Sequence, residues 1–204
     1  MGNRILSVEK KTDNRFLNMY DLHYENKVGK RGLYHVASRA KSIEEMKLTT
    51  KKNRPDGVII YSIYGEKKDK MVLVRQYRFS IDDYVYELPA GLVDEGETYA
   101  VAGARELKEE TGLDFHPLEV DEMYHKPFFT TIGMTDESCA TVYGYATGTV
   151  SQEGLEDNEE LEVVLADRAE VARILREENV SMNCGYLMMH FLHHTDEDPF
   201  YFLK

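Results

Sequence analysis

The stretch GLVDEGETYAVAGARELKEETGL, residues 91–113, decides how this chain is read. Asp94, Glu95, Glu97, Glu106, Glu109 and Glu110 set six acids within seventeen residues. Ala100, Ala104, Leu107 and Thr111 recur at steps of four, three and four, which predicts an amphipathic helix from about Thr98 to Thr111 with these residues as its apolar face. Gly112 follows as a residue that tolerates the left-handed stop of a helix. Glu106, Glu109 and Glu110 stand three and four apart, so the same periodicity groups them on the opposite face. Two such carboxylates about 4 Å apart repel by roughly 4 kcal/mol at an effective dielectric near 20, and unrelieved they would raise one another's pKa and fray the helix. Arg105 and Lys108 can relieve part of this as a solvated surface. Bound cations would relieve more.

For a helix taken by itself, the solvated surface is the commoner arrangement. With 204 residues, 42% of them hydrophobic, it is long enough for one globular domain with a sizeable core and a small appendage. A formal net charge of −12 repels phosphate backbones and anionic membrane surfaces, so nucleic-acid and membrane binding are not expected, whereas metal cations are attracted. Cys139 and Cys184 lie far apart and outside any metal-ligand spacing, which argues against a disulfide framework or a zinc site and favours a reduced cytoplasmic setting. No apolar run approaches the length of a membrane span, and MGNRILSVEKK lacks the apolar stretch of a signal peptide.

Outward from the acidic stretch, GVIIYSIY and KMVLVRQY read as paired central strands around the turn GEKKD, and VYELPAG as a short strand ending at Pro89. PLEVDEMYHK, SCATVYGYATG and LEVVLAD read as further strands, and RAEVARILREEN and NCGYLMMHFLHH as helices. Residues 1–52 form a separate small β unit: RFLNMYDLHYEN and RGLYHVASR are joined by KVGK, with Gly29 in the turn. KSIEEMKLTTKKNRPD reads as a connector into the main domain, residues 53–204. The expected fold is therefore α/β with an N-terminal β subdomain.

Gly91, five residues, Glu97, seven residues, then Arg-Glu-Leu-x-Glu-Glu-x-Gly-Leu is the complete signature of the Nudix hydrolases, which this chain resembles. The resemblance implies the Nudix fold, a mixed β-sheet sandwiched between helices, and a loop-helix-loop that binds Mg2+, with Mn2+ as the alternative. Carried over position by position, it implies Glu106 and Glu110 as metal ligands, with the backbone carbonyl of Ala90. Glu109 supports the outer metal shell and is a candidate base, Glu97 and Arg105 pair to hold the helix against its loop, and Gly91 allows a close backbone approach. Gly103 stands where the family more often has Ala, at a helix cost of up to about 1 kcal/mol.

Upstream, VRQYR followed by ELPAG resembles the ADP-ribose and nucleoside-diphosphosugar pyrophosphatases within that family. That likeness implies substrate contacts for Arg78 and Glu87; strand alternation puts Arg75 on the other face from Arg78. TTIGMTDESC resembles the family's substrate loop, with Gly133, Thr135 and Glu137 in matching places and Ile132 where a proline is expected. The acidic loop EGLEDNEELEVV resembles the loop that carries the catalytic base, which alignment sets at Asp157 with Glu156 or Glu159 as alternatives. Phe128 and Phe129 read as core or dimer packing, Phe16 and Tyr20 as candidates to close over an adenine, and His125, His190, His193 and His194 as packing or surface residues. The implied partner is a small nucleoside diphosphate sugar, and the implied assembly is a homodimer through the aromatic N-terminal unit. A GDP-sugar or dinucleotide pyrophosphatase, or a ligand sensor without turnover, are the alternatives.

Overall fold

In the computed structural model, which describes residues 4–155, 160–193 and 198–204, the chain divides into two compact units. The first runs through Asp56 and takes in Pro127–Cys139; the second comprises Gly57–Lys126 and Ala140–Lys204. The sequence reading set the boundary near residue 52 and left residues 127–139 in the main domain. The structure assigns that segment to the first unit.

The first unit is built on β1 (Ile5–Lys10), β2 (Asn18–Glu25) and β3 (Arg31–Ser38), an antiparallel sheet in that order. The β2–β3 turn places Gly29 at φ +79°, the left-handed region that glycine enters at no steric cost. Tyr20, Leu22 and Val36 point to one face of this sheet and bury against Met46. The stretch read as a connector is thus partly core: Met46 is buried immediately before α1 (Lys47–Thr50), a single helical turn.

The second unit begins with β4 (Gly57–Tyr64) and β5 (Lys70–Arg78), antiparallel neighbours as their apolar, β-branched runs predict. They are followed by β6 (Asp83–Glu87), β7 (Ala90–Leu92), α2 (Tyr99–Thr111), β8 (Asp114–Pro117) and α3 (Glu122–His125). In the first unit β9 (Phe128–Phe129) then pairs with the first two residues of β10 (Ser138–Thr147). The chain ends with β11 (Leu161–Ala166), α4 (Arg168–Glu177), α5 (Met182–His193) and a 3-10 turn (Tyr201–Leu203). The sheet order is β11-β5-β4-β10-β8, with β6 alongside β5 and β7 alongside β4.

Alternation along β4 sends Val58 and Ile60 to a core shared with Ala102 and Leu107 of α2. Tyr61 points the other way, with edge-on contacts to Phe200 and Phe202. Phe202 in turn stacks on His190 of α5, so both faces of the central strand are covered. Burial also pushes the Tyr61 hydroxyl pKa upward.

PLEVDEMYHK is not a strand. Strand pairing stops at Pro117, and Asp121 caps the turn of α3 by accepting the Met123 N–H at 2.9 Å, an Asx cap that overrides the β-branched residue before it.

Candidate active site

Helix α2 begins and ends where its sequence dictates. Thr98 caps the N-terminus by accepting the Val101 N–H at 3.4 Å, and Gly112 closes the C-terminus at φ +74°. Its buried face is shifted from the predicted one: Ala102, Gly103, Leu107, Glu110 and Thr111 face inward, while Ala100 and Ala104 are half-buried. Gly103 accounts for the shift. A Cβ there would stand 2.7 Å from Val142 Cγ2 and 3.4 Å from Ile60, so the glycine lets the helix lie close against β4 and β10.

The acids therefore do not share one solvated face. Glu110 is 5% exposed and accepts the Ala90 N–H at 3.2 Å. Glu106 lies over Gly91, where an added Cβ would fall 1.8 Å from its carboxyl carbon. Glu109 is exposed at the helix surface. Arg105 is the common counter-charge. It donates to both oxygens of Glu97 at 3.1 and 3.0 Å, to Glu106 at 2.7 Å, to Glu109 at 3.1 Å and to the Leu92 carbonyl at 2.9 Å. The Glu97 hydrogen bond comes first among the causes that push the Arg105 pKa upward, and Arg105, followed by the Asp94 N–H, holds the Glu97 carboxyl below its ordinary range. Lys108 turns away to Asp114 and the Gly112 carbonyl.

These residues fit a hard divalent cation by their chemistry. Glu106 and Glu110 offer carboxylate oxygens beside the Ala90–Gly91 backbone, and the place that a side chain at residue 91 would take is filled by the Glu106 carboxylate. Among the described residues no three His, Cys, Asp or Glu side chains form a ready cage.

Upstream of β7, Arg78 donates to Glu87 through two nitrogens, Nε at 2.9 Å to Oε1 and Nη2 to Oε2. The two candidate substrate contacts thus form one bidentate pair. Arg75 lies over the Tyr84 ring at 3.9 Å and 3.5 Å from Glu162. The stretch before the acidic loop is pinned to α2: a Cβ on Gly154 would meet the Glu109 carbonyl at 2.7 Å, and Ser151 N–H donates to the Thr111 carbonyl at 3.0 Å. Gln152 Nε2 donates to the Leu161 carbonyl at 2.7 Å and ties that stretch to β11. Glu156, Asp157 and Glu159 lie outside the described residues, as does His194.

Gly133 and Glu137 belong to the first unit. Gly133 is exposed, and its carbonyl accepts the Tyr34 hydroxyl. Glu137 accepts from Arg39 Nε at 2.8 Å and from Thr130 Oγ1 at 3.1 Å. Tyr20 cannot close over a base, because it is fully buried and its hydroxyl donates to the Ala40 carbonyl at 2.7 Å. Phe16 remains exposed, and Phe128 and Phe129 are exposed rather than in the core of this chain. Sequence reasoning did not find Arg39 or Tyr34; their partners lie some hundred residues away, and no local pattern signals them.

The chain matches the NUDIX domain family over residues 53–182, and it belongs to the Nudix family. It is 28% identical to the ADP-ribose pyrophosphatase of Saccharomyces cerevisiae over 159 residues, 76% of this chain and 65% of that protein. It is also 28% identical to the methanol dehydrogenase activator of Bacillus methanolicus over 130 residues, 62% of this chain and 65% of that protein. The ADP-sugar pyrophosphatase of Mus musculus matches at 35% identity over 77 residues, 36% of this chain and 35% of that protein. The aligned parts span 52–65% of the length of the first curated relatives. In fold the chain is similar to a solved structure described as ADP compounds hydrolase, with a TM-score of 0.59 and 22% identity, covering 85% of this chain and 82% of that one. Among the described residues no helix is long and apolar enough to cross a membrane.

Proposed function

We propose that this protein hydrolyses the diphosphate bond of ADP-ribose or a related nucleoside diphosphate sugar, giving a nucleoside monophosphate and a sugar phosphate. The observation that carries this reading is the Glu106 carboxylate nested on Gly91 beside Glu110, which reaches the Ala90 amide. Glu106, Glu110 and the Ala90 carbonyl would hold Mg2+ or Mn2+, which when bound neutralises the diphosphate and polarises a phosphoryl oxygen. The chain itself supplies position. Glu97 and Arg105 fix the helix against its loop, and Arg105 would exchange its hold on Glu106 and Glu109 as the site fills. The Arg78–Glu87 pair presents a guanidinium with planar geometry suited to phosphate oxygens. Gly133 and Glu137 are the further substrate contacts in this reading. Water attacks one phosphorus while the bridging P–O bond breaks and the other phosphate leaves, and the water's proton passes to a carboxylate: Asp157, Glu156 or Glu159, with Glu109 next.

Relatives named for ADP-ribose and ADP-sugar hydrolysis support this substrate class. The first unit exposes Phe16, Val28, Leu33 and Tyr34, apolar side chains that a second copy of the chain could cover, and this reading takes the protein as a cytoplasmic homodimer. The test is a panel of ADP-ribose, ADP-glucose, GDP-mannose, NADH and diadenosine polyphosphates, read by phosphate release after phosphatase coupling. Turnover greatest with ADP-ribose or ADP-glucose supports the reading; GDP-mannose or a dinucleotide ahead of both changes the substrate; binding without turnover of any compound makes the chain a sensor. Asp157→Asn, Glu156→Gln and Glu159→Gln, made singly, should include one that lowers kcat by about 10² to 10⁴ with little change in KM. If all three retain at least half of normal kcat, the base lies elsewhere.

A further inference from the structure

One cavity of the first unit has no part in the reading above. It encloses about 580 Å³, within the range of small-molecule sites, and is lined only by residues of that unit. Its wall is already built. Lys47 Nζ donates to Asp56 at 2.5 Å and to Ser138 Oγ at 2.6 Å, Ser138 Oγ donates to Asn53 at 2.7 Å, and Ser138 N–H donates to Asp56 at 2.9 Å. These bonds neutralise Lys47 and Asp56 within the wall, and Arg39 is neutralised by Glu137.

What remains facing the cavity is a polar division of labour. Lys52 and Arg54 make no ion pair among the described residues, in a chain whose net charge is −12. Asp136 likewise makes no ion pair among the described residues, and Glu45 uses one oxygen to accept the Lys41 N–H at 2.9 Å. Ser38 and Thr50 add hydroxyls to the lining. Two cations suit a phosphate, one of them a guanidinium able to bind two of its oxygens. Two carboxylates accept hydrogen bonds from hydroxyl groups and would repel a second phosphate.

We infer that this cavity binds a sugar monophosphate, its phosphate on Lys52 and Arg54 and its hydroxyls on Glu45 and Asp136. Its lining shares no residue with the metal-ligand set of the second unit, and binding there does not depend on turnover. Calorimetric titration of the full chain in EDTA with ribose 5-phosphate, inorganic phosphate and ribose tests it. Ribose 5-phosphate should bind at least tenfold more tightly than inorganic phosphate, and ribose alone weakest. Lys52→Ala with Arg54→Ala should weaken ribose 5-phosphate at least tenfold with thermal unfolding unchanged, and Glu45→Gln should narrow the gap between ribose 5-phosphate and phosphate. The same titration on Glu110→Gln should be unaffected, whether or not the chain is a hydrolase. No binding, binding that survives the double substitution, or binding lost with Glu110→Gln would each overturn the inference.

Discussion

The stretch from Ala90 to Gly112 and the segment from Pro127 to Cys139 both carry acids, hydroxyls and glycine, yet they are held in opposite ways. In the first, the helix ends and the charge network are set locally, by a threonine cap, a glycine stop, and Arg105 bonded to acids one, four and eight residues away, while β7 pairs with β4 and α2 packs on Val142 from farther along the chain. In the second, the restraints come from far along the chain: Ala37 N–H to the Met134 carbonyl, Arg39 to Glu137, Lys47 to Ser138. Local restraint lets one side chain be perturbed without unfolding its neighbours. Distant restraint makes the same kind of perturbation a matter of stability.

The largest effect expected from this contrast is chemical. In Gly91→Ala the new methyl occupies the place of the Glu106 carboxylate, which sits at the end of a flexible side chain and can swing away. The fold should survive while kcat falls at least about a hundredfold, some 2.7 kcal/mol on the barrier. Glu110→Gln should do the same. A variant that unfolds instead, or turns over normally at saturating Mg2+, breaks the comparison on this side.

Next comes Lys47→Met, which strands Asp56 and Ser138 in the distant-restraint region. Chemical denaturation should show a loss of about 2 kcal/mol, since one partner of a partly buried, hydrogen-bonded pair is removed. An unchanged midpoint would mean that the knot holds nothing.

Gly103→Ala sets two local terms against each other. Helix propensity gains about 1 kcal/mol, while a Cβ 2.7 Å from Val142 overpacks the core at about 1 to 3 kcal/mol. Net destabilisation by about 1 kcal/mol is expected in thermal unfolding. A stabilised variant would show that α2 has slack against β10.

The smallest effect is a titration. Because Arg105 holds the folded-state pKa of Glu97 below its unfolded value, the pair's contribution is present above the unfolded pKa and is lost as pH falls through the folded one. Carboxyl NMR should place Glu97 below the ordinary glutamate range and return it upward in Arg105→Gln. An unmoved titration would remove Arg105 as the cause.

The same contrast separates what the sequence makes legible from what only the folded chain shows. The limits of α2, the β2–β3 hairpin with Gly29, and the paired runs of β4 and β5 follow from caps, glycines and alternation, all of which act within a few residues. The placing of Glu106 and Glu110 one turn apart on α2 was legible for the same reason. Burial of Glu110 was not, because it depends on Gly103 and the close approach of β4 and β10. Recruitment of residues 127–139 to the first unit was invisible, since Arg39 and Glu137 are ninety-eight residues apart and neither has a local signature. Val120 made PLEVDEMYHK look extended; one aspartate cap decided otherwise.

Arg105 has one further consequence, for the order of events in the life of the chain. A cluster of glutamates that waited for a cation to quiet it would couple folding to ion supply, as in small domains that are unstructured without their metal. Here the counter-ion is covalently part of the helix, one residue from Glu106 and four from Glu109. Folding can therefore finish first and loading can follow, so chelation should silence the chain reversibly and leave its melting temperature nearly where it was.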